Sequence, residues 1–176
     1  GEPVAVDALP VFDLHELNPR EFIEFGGGVL HPLSYCATRN GNLDDASGVY
    51  VAFAGFVLDA AGVPCHSVLT ALGQVKTPSL DALERAIAAT RDGDRVPVLF
   101  YNSGDRFNDQ VAAIRVNTRW FPPKRWTRSD PTLAELAAGD APVSPGRRAC
   151  WSWRPLGPGT TIDPRAGPDE CQSPER

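Results

Sequence analysis

Chemistry in this chain of 176 residues would have to come from a handful of side chains. Ser103 stands in Ser103-Gly104-Asp105. A serine nucleophile needs a base within reach and backbone N–H groups turned into an oxyanion hole, typically in a Gly-x-Ser-Gly-Gly turn. That pattern is absent, and the stretch reads as a hairpin tip. Cys65-His66 would pair a thiolate with a base, yet neighbours on a strand point to opposite faces and their side chains would not meet. His15 and His31 have no partner at metal-ligand spacing, and Asp44-Asp45 reads as a solvated loop. The cysteines at 36, 65, 150 and 171 form no Cys-x-x-Cys and are too sparse for a disulfide scaffold, so they read as thiols in a reducing compartment. No catalytic residue, no metal ligand set and no cofactor is expected.

Binding is the chemistry better represented. Gly26, Gly27 and Gly28 precede the apolar strand residues Val29, Leu30 and His31. Consecutive glycines let backbone N–H groups turn toward one point and let a ligand approach without a Cβ in the way. A flexible hinge is the alternative reading of the same three residues. His31 is expected to have a structural or ligand-contacting role.

The elements that must position these residues run strand, short helix, strand, longer helix, strand between 48 and 101. Val49, Val51 and Phe53 alternate with period two, as do Val96, Val98 and Phe100. A short helix through Leu58 is closed by Gly62, and Ser67 to Gly73 reads as the next strand. Leu80, Leu83 and Ile87 recur at helical spacing and should face the core. Ala82, Ala86 and Ala89 fall on an adjoining face, where small side chains would leave a groove open; alanine is also simply a good helix former. Pro97 implies an edge strand or a bulge, and Asn102 to Asp105 a hairpin turn into a strand through Val111 and Ala113.

Four segments follow. Residues 1–24 read as a linker or edge strand in which Asn18-Pro19 opens at most a turn or two of helix, and 25–123 as the folded domain, with a further short helix at Leu33 to Arg39. Residues 124–140 read as a linker with a short helix after Asp130, and 141–176 as a Pro/Gly-rich tail, expected to be disordered, with Trp151 and Trp153 as its anchors.

The order and spacing of these elements resemble a PDZ domain of the HtrA/Deg type. The glycine run, His31, Leu33-Ser34-Tyr35, Gly48-Val49-Tyr50-Val51, then Arg119-Trp120-Phe121-Pro122-Pro123 and Arg128-Ser129-Asp130 are similar to one PDZ unit of the double-length HtrA-type serine proteases of fungi and plants. The resemblance implies an α+β fold, the permuted HtrA-type PDZ: a small antiparallel β-sandwich or partial barrel with two helices. It implies a non-catalytic module of a serine endopeptidase engaged in protein quality control. In that family the glycine loop holds a C-terminal carboxylate and the following strand pairs with the peptide. The implied peptide site is therefore Gly26, Gly27, Gly28, Val29, Leu30, His31, Ala82, Ala86 and Ala89. A docking or oligomerisation module whose groove is filled by its own terminal segment is the second reading. Pro64-Cys65-His66-Ser67 replaces the family's usual Lys-Pro-Gly-Asp, and Pro32 stands where an acidic residue is customary.

Bulk properties agree with a single domain and appendages. A net charge of -5 argues against nucleic acid or an anionic membrane as partner, since phosphate binding draws on clustered Lys and Arg. Expected partners are peptides or unfolded segments, other domains of a parent protease, or further copies of the chain. No apolar run approaches membrane-spanning length, so a soluble, intracellular protein is expected, with nucleus or an organelle implied by the resemblance.

Overall fold

The computed structural model describes residues 19–41, 47–129 and 150–157. His15, Asp44 and Asp45, the helix expected after Asp130, and most of the expected tail lie outside these residues.

The chain alternates strands and short helices in the order β1 (Glu21–Phe25), β2 (Gly28–Pro32), α1 (Tyr35–Gly41), β3 (Val49–Phe53), α2 (Gly55–Ala60), β4 (Ser67–Leu72), β5 (Val75–Lys76), α3 (Leu80–Ala88), β6 (Arg95–Asn102), β7 (Asp105–Arg115), β8 (Lys124–Ser129) and β9 (Cys150–Pro155). The sheet is antiparallel in every pairing and runs β7-β6-β4-β3-β2-β1-β8-β9, with β5 set beside β4. It does not close, so the α+β, PDZ-like architecture stands as an open sheet with three short helices, at the three places the sequence indicates, where the resemblance alone implies two.

Local chemistry explains the helix ends. Ser79 caps α3 by accepting from the Ala82 N–H. At the end of α2 the N–H groups of Gly62 and Val63 donate to the carbonyls of Asp59 and Leu58, and Gly62 takes φ +81, which a glycine adopts without strain. One core gathers Ile23, Leu30, Val51, Leu69, Leu83, Val98 and Ile114 between the sheet and α3. Fully burying such side chains contributes about 1.5–3 kcal/mol each.

Three expectations change. Asn18 lies outside the described residues, and Pro19 and Arg20 lead into β1, not into a helical turn. Pro97 lies in β6, an interior strand between β4 and β7. Its carbonyl accepts from Gly73 on the β4 side, and the N–H and C=O of one strand residue share an edge. The missing donor therefore falls where β4 has already ended, and no ladder bond to β7 is lost. Within the stretches read as linker and tail, Lys124–Ser129 and Cys150–Pro155 form β8 and β9, paired from Lys124↔Pro155 to Ser129↔Cys150. Lys, Arg, Ser and Thr fill these strands around three tryptophans, so they lack the aliphatic alternation that marks a strand.

Candidate functional site: the groove between β2 and α3

The expected groove has β2 as one wall and α3 as the other. Gly26 and Gly27 form a two-residue hairpin turn between β1 and β2, both with positive φ (60° and 77°), and Gly28 is already paired with Phe25. The Gly26 carbonyl accepts from the N–H groups of Phe56 and Val57, each at 3.0 Å, so the turn is seated on the start of α2. The approach is close: a Cβ on Gly55 would lie 2.1 Å from the Gly27 carbonyl carbon.

Strand β2 has both edges occupied. Val29, Leu30, His31 and Pro32 face β3, while Gly28, Val29 and Leu30 face β1 across Phe25, Glu24 and Ile23. The strand β1 also packs against α3. Ile23 is 0% exposed and Phe25 4%, in the same core as Leu83 and Ala86. Ala82 and Ala86 are buried, and Ala89, the residue that caps the end of α3, is exposed. β1 thus lies between the glycine turn and β2 on one side and shares its core with Ala86 on the other, while Ala82 is buried outside that cluster and Ala89 is exposed.

What secures β1 is a charge cluster that spacing could not reveal. Arg125 on β8 donates to Glu21 of β1 (2.6 Å) and to Asp81 and Glu84 of α3 (2.6 and 2.7 Å). Arg154 on β9 grips both oxygens of Glu84 at 2.7 and 2.6 Å, the forked geometry in which guanidinium matches carboxylate. Burial would push the Glu84 carboxyl up, but the hydrogen bonds from Arg154 and Arg125 outweigh it and hold it below its ordinary range. Asp81 is held low chiefly by its bond from Arg125. Burial works against the charge on Arg125 as well, and its carboxylate partners more than offset it, so the guanidinium is charged throughout the accessible range.

On the far side of β1 from α3, Phe22 stacks on Trp126 at 5.8 Å and meets Trp151 at 5.2 Å, while Trp153 lies 6.3 Å from Trp126. The two tail tryptophans are therefore packing residues. The Trp-Ser-Trp alternation at 151–153 was the one signal in the sequence that could have found β9.

The remaining candidates separate. His31 donates from Nδ1 to the Pro32 carbonyl at 2.7 Å and its ring lies 5.1 Å from that of Tyr50. Burial lowers its pKa, with the carbonyl bond opposing. Cys65 and His66 sit in the turn before β4, not on a strand, and His66 takes φ +68. His66 Nδ1 shares a hydrogen bond of 2.6 Å with the Tyr50 hydroxyl. Ser103 meets His66 through its backbone N–H alone, which donates to the His66 carbonyl at 3.1 Å. Among the described residues no group of three or more His, Cys, Asp or Glu could hold a metal ion, and no helix is long and apolar enough to cross a membrane.

Comparison with known proteins bears on this geometry directly. Residues 16–93 match the family described as the PDZ-like domain. Protease Do-like 7 of Arabidopsis thaliana is 33% identical over 150 residues, which cover 82% of this chain and 14% of that protein. The chain carries a PDZ-like domain of the HtrA/Deg type. Fungal relatives of the same kind are the pro-apoptotic serine proteases NMA111 of Yarrowia lipolytica, 27% identical over 179 residues (82% of this chain, 18% of that protein), and of Kluyveromyces lactis, 31% identical over 125 residues (69% and 12%). The chain thus spans less than a fifth of these relatives. The PDZ-like match begins at residue 16, so the family's own boundary includes β1.

Proposed function

We propose that this PDZ-like domain is a non-catalytic docking and regulatory module of an HtrA/Deg-type serine protease, with its peptide groove occupied by its own β1. The observation that carries this reading is the double pairing of β2: Gly28, Val29 and Leu30 are already matched to β1 on the edge opposite β3, which leaves only His31 and Pro32 there, too short a ladder for an incoming peptide. β1 runs antiparallel to β2 against α3, as an added peptide strand would, and supplies Ile23 and Phe25 as the apolar side chains. Because β1 is tethered, it competes at an effective concentration in the millimolar range, which a free peptide of ordinary affinity does not overcome.

Titrating the whole chain with a fluorescent apolar decapeptide bearing a free C-terminus, with hydrogen exchange followed in parallel, tests the proposal. The expected result is no saturable binding below about 100 µM, with β1 and β2 amides protected throughout. Micromolar binding with β1 amides becoming labile would mean that β1 is displaced, and would restore the Gly26–Gly28, Val29–His31 and Ala82, Ala86 site as a working peptide groove. Micromolar binding with β1 still protected would move recognition elsewhere and sink the proposal.

A further inference from the structure

A second concave surface, bounded by α2, the end of β7 and the turn after it, has a volume of about 530 Å³. Val57 and Ala60 line it from α2 and Ala61 from the helix's C-cap, together with Phe56 and Trp120, which are 63% and 75% exposed. Exposed aromatic rings beside small apolar side chains are typical of the anchoring part of a protein interface.

Its charges are unbalanced. Arg115 and Arg119 line the cleft, and among the described residues neither forms an ion pair. Arg95 lies directly across the β6–β7 ladder from Arg115, and both are exposed. Like charges in opposed positions destabilise a ladder. The cleft's one carboxylate, Asp92, stays ionised: its Oδ1 accepts from the N–H groups of Thr118 (2.7 Å) and Arg119 (3.3 Å) and from the Thr118 hydroxyl (3.3 Å), and these bonds, with a smaller share from the charge of Arg119, hold it below its ordinary range, so it offsets one guanidinium of the set. The carboxylate nearest along the chain, Asp94, accepts from the Arg91 N–H at 2.9 Å. A chain of net charge -5 therefore gathers Arg95, Arg115 and Arg119, three guanidinium groups with no ion pair among the described residues, against the single lining carboxylate of Asp92 beside a cleft of mixed apolar and polar walls.

We infer that this cleft is a binding site for an acidic segment of a partner polypeptide carrying an aliphatic or aromatic side chain. The apolar side chain enters between Phe56 and Trp120, and the flanking carboxylates meet Arg115, Arg119 and Arg95 in forked pairs. The cleft shares no lining residue with the β1-filled groove, although the Gly26 carbonyl of the β1–β2 turn accepts from the Phe56 and Val57 N–H groups behind it.

Fluorescence anisotropy on the whole chain tests the inference with two capped decapeptides, one alternating Asp and Glu with Leu and Phe, the other with Lys at every acidic position. The acidic peptide should bind and the Lys peptide should not; Arg115→Glu with Arg119→Glu should weaken the first about tenfold or more and admit the second. Arg95→Glu separates binding from folding. It places opposite charges across the ladder, so the variant should melt no lower than the parent while binding the acidic peptide several-fold more weakly. Equal binding of the two peptides, no binding of either, or indifference to these substitutions would overturn the inference. So would a single-stranded oligonucleotide binding as tightly through the same arginines, or a dimer that dissociates on charge reversal, which would assign the cleft to phosphate or to a second copy.

Discussion

Arg125 joins three parts of the chain that are far apart in sequence, and its value to the fold depends on the carboxylates around it. Its side chain is 12% exposed, and Glu21 and Glu84 are 35% and 22% exposed, so water screens the cluster only in part. Replacing it by methionine keeps the apolar stem but leaves Glu21, Asp81 and Glu84 facing one another. The expected cost is about 2 kcal/mol, below the ~3–5 kcal/mol for breaking a fully buried pair because of that partial exposure. Asp81 and Glu84 have folded pKa values below their ordinary 3.8 and 4.5. Their contribution is complete above those ordinary values and is lost as pH falls through the lowered ones. Urea unfolding at pH 7 and at successive steps below pH 4.5 should therefore show the gap between Arg125→Met and the parent narrowing with acid; a gap independent of pH would show that the stem, not the charge, holds β1.

At the scale of elements, the seat of the β1–β2 turn on α2 makes two glycines on either end of one helix unequal. Gly55 and Gly62 both have positive φ, at 61° and 81°. A Cβ on Gly62 meets nothing within 4 Å, whereas on Gly55 it would press into the Gly27 and Gly28 backbone. Gly62→Ala should cost about 1 kcal/mol, the backbone strain alone. Gly55→Ala should cost about 3 kcal/mol or more, since the hairpin turn must also move. Equal losses in urea unfolding would mean that the turn is not held against α2.

The same scale explains what could be read beforehand. The strands β3 and β6 and the helices α2 and α3 were legible because each has one buried face and a clear stop, and β4, buried on both faces, was legible as a short apolar run ended by Gly73. β1 was hidden because both of its faces are apolar: Ile23 and Phe25 enter the core while Phe22 lies under Trp126 and Trp151, so alternation is blurred. Ala82 and Ala86 are buried and Ala89 is exposed, and small side chains serve a close-packed interior as well as an open groove, so their spacing alone does not separate the two. Arg125, Arg154 and Glu84 carried no signal, since their partners lie 41 to 104 residues apart.

For the whole molecule, β7 and β9 are the sheet's two outer strands among the described residues. β9 pairs only with β8, and Arg154 ties it to α3. Native-state hydrogen exchange should rank β9 amides least protected and β4 and β6 amides at the global limit, because outer strands open in smaller units than the core. Arg154→Gln should speed exchange in β8 and β9 and leave β4 and β6 nearly unchanged. A uniform change across the sheet would show that the outer strands open only with the whole.

The bond from Arg125 to Glu21 spans 104 residues, and a ribosome makes them in order. At about 5–20 residues per second, β1 waits roughly 5–20 s between its own emergence and that of the strand that will cover its outer edge. Throughout that interval the nascent hairpin offers a bare ladder next to Phe22, the kind of edge that invites pairing with another chain. The time at which this domain is most exposed to a wrong partner is thus set by translation, and shortens as synthesis of residues 26 to 125 quickens.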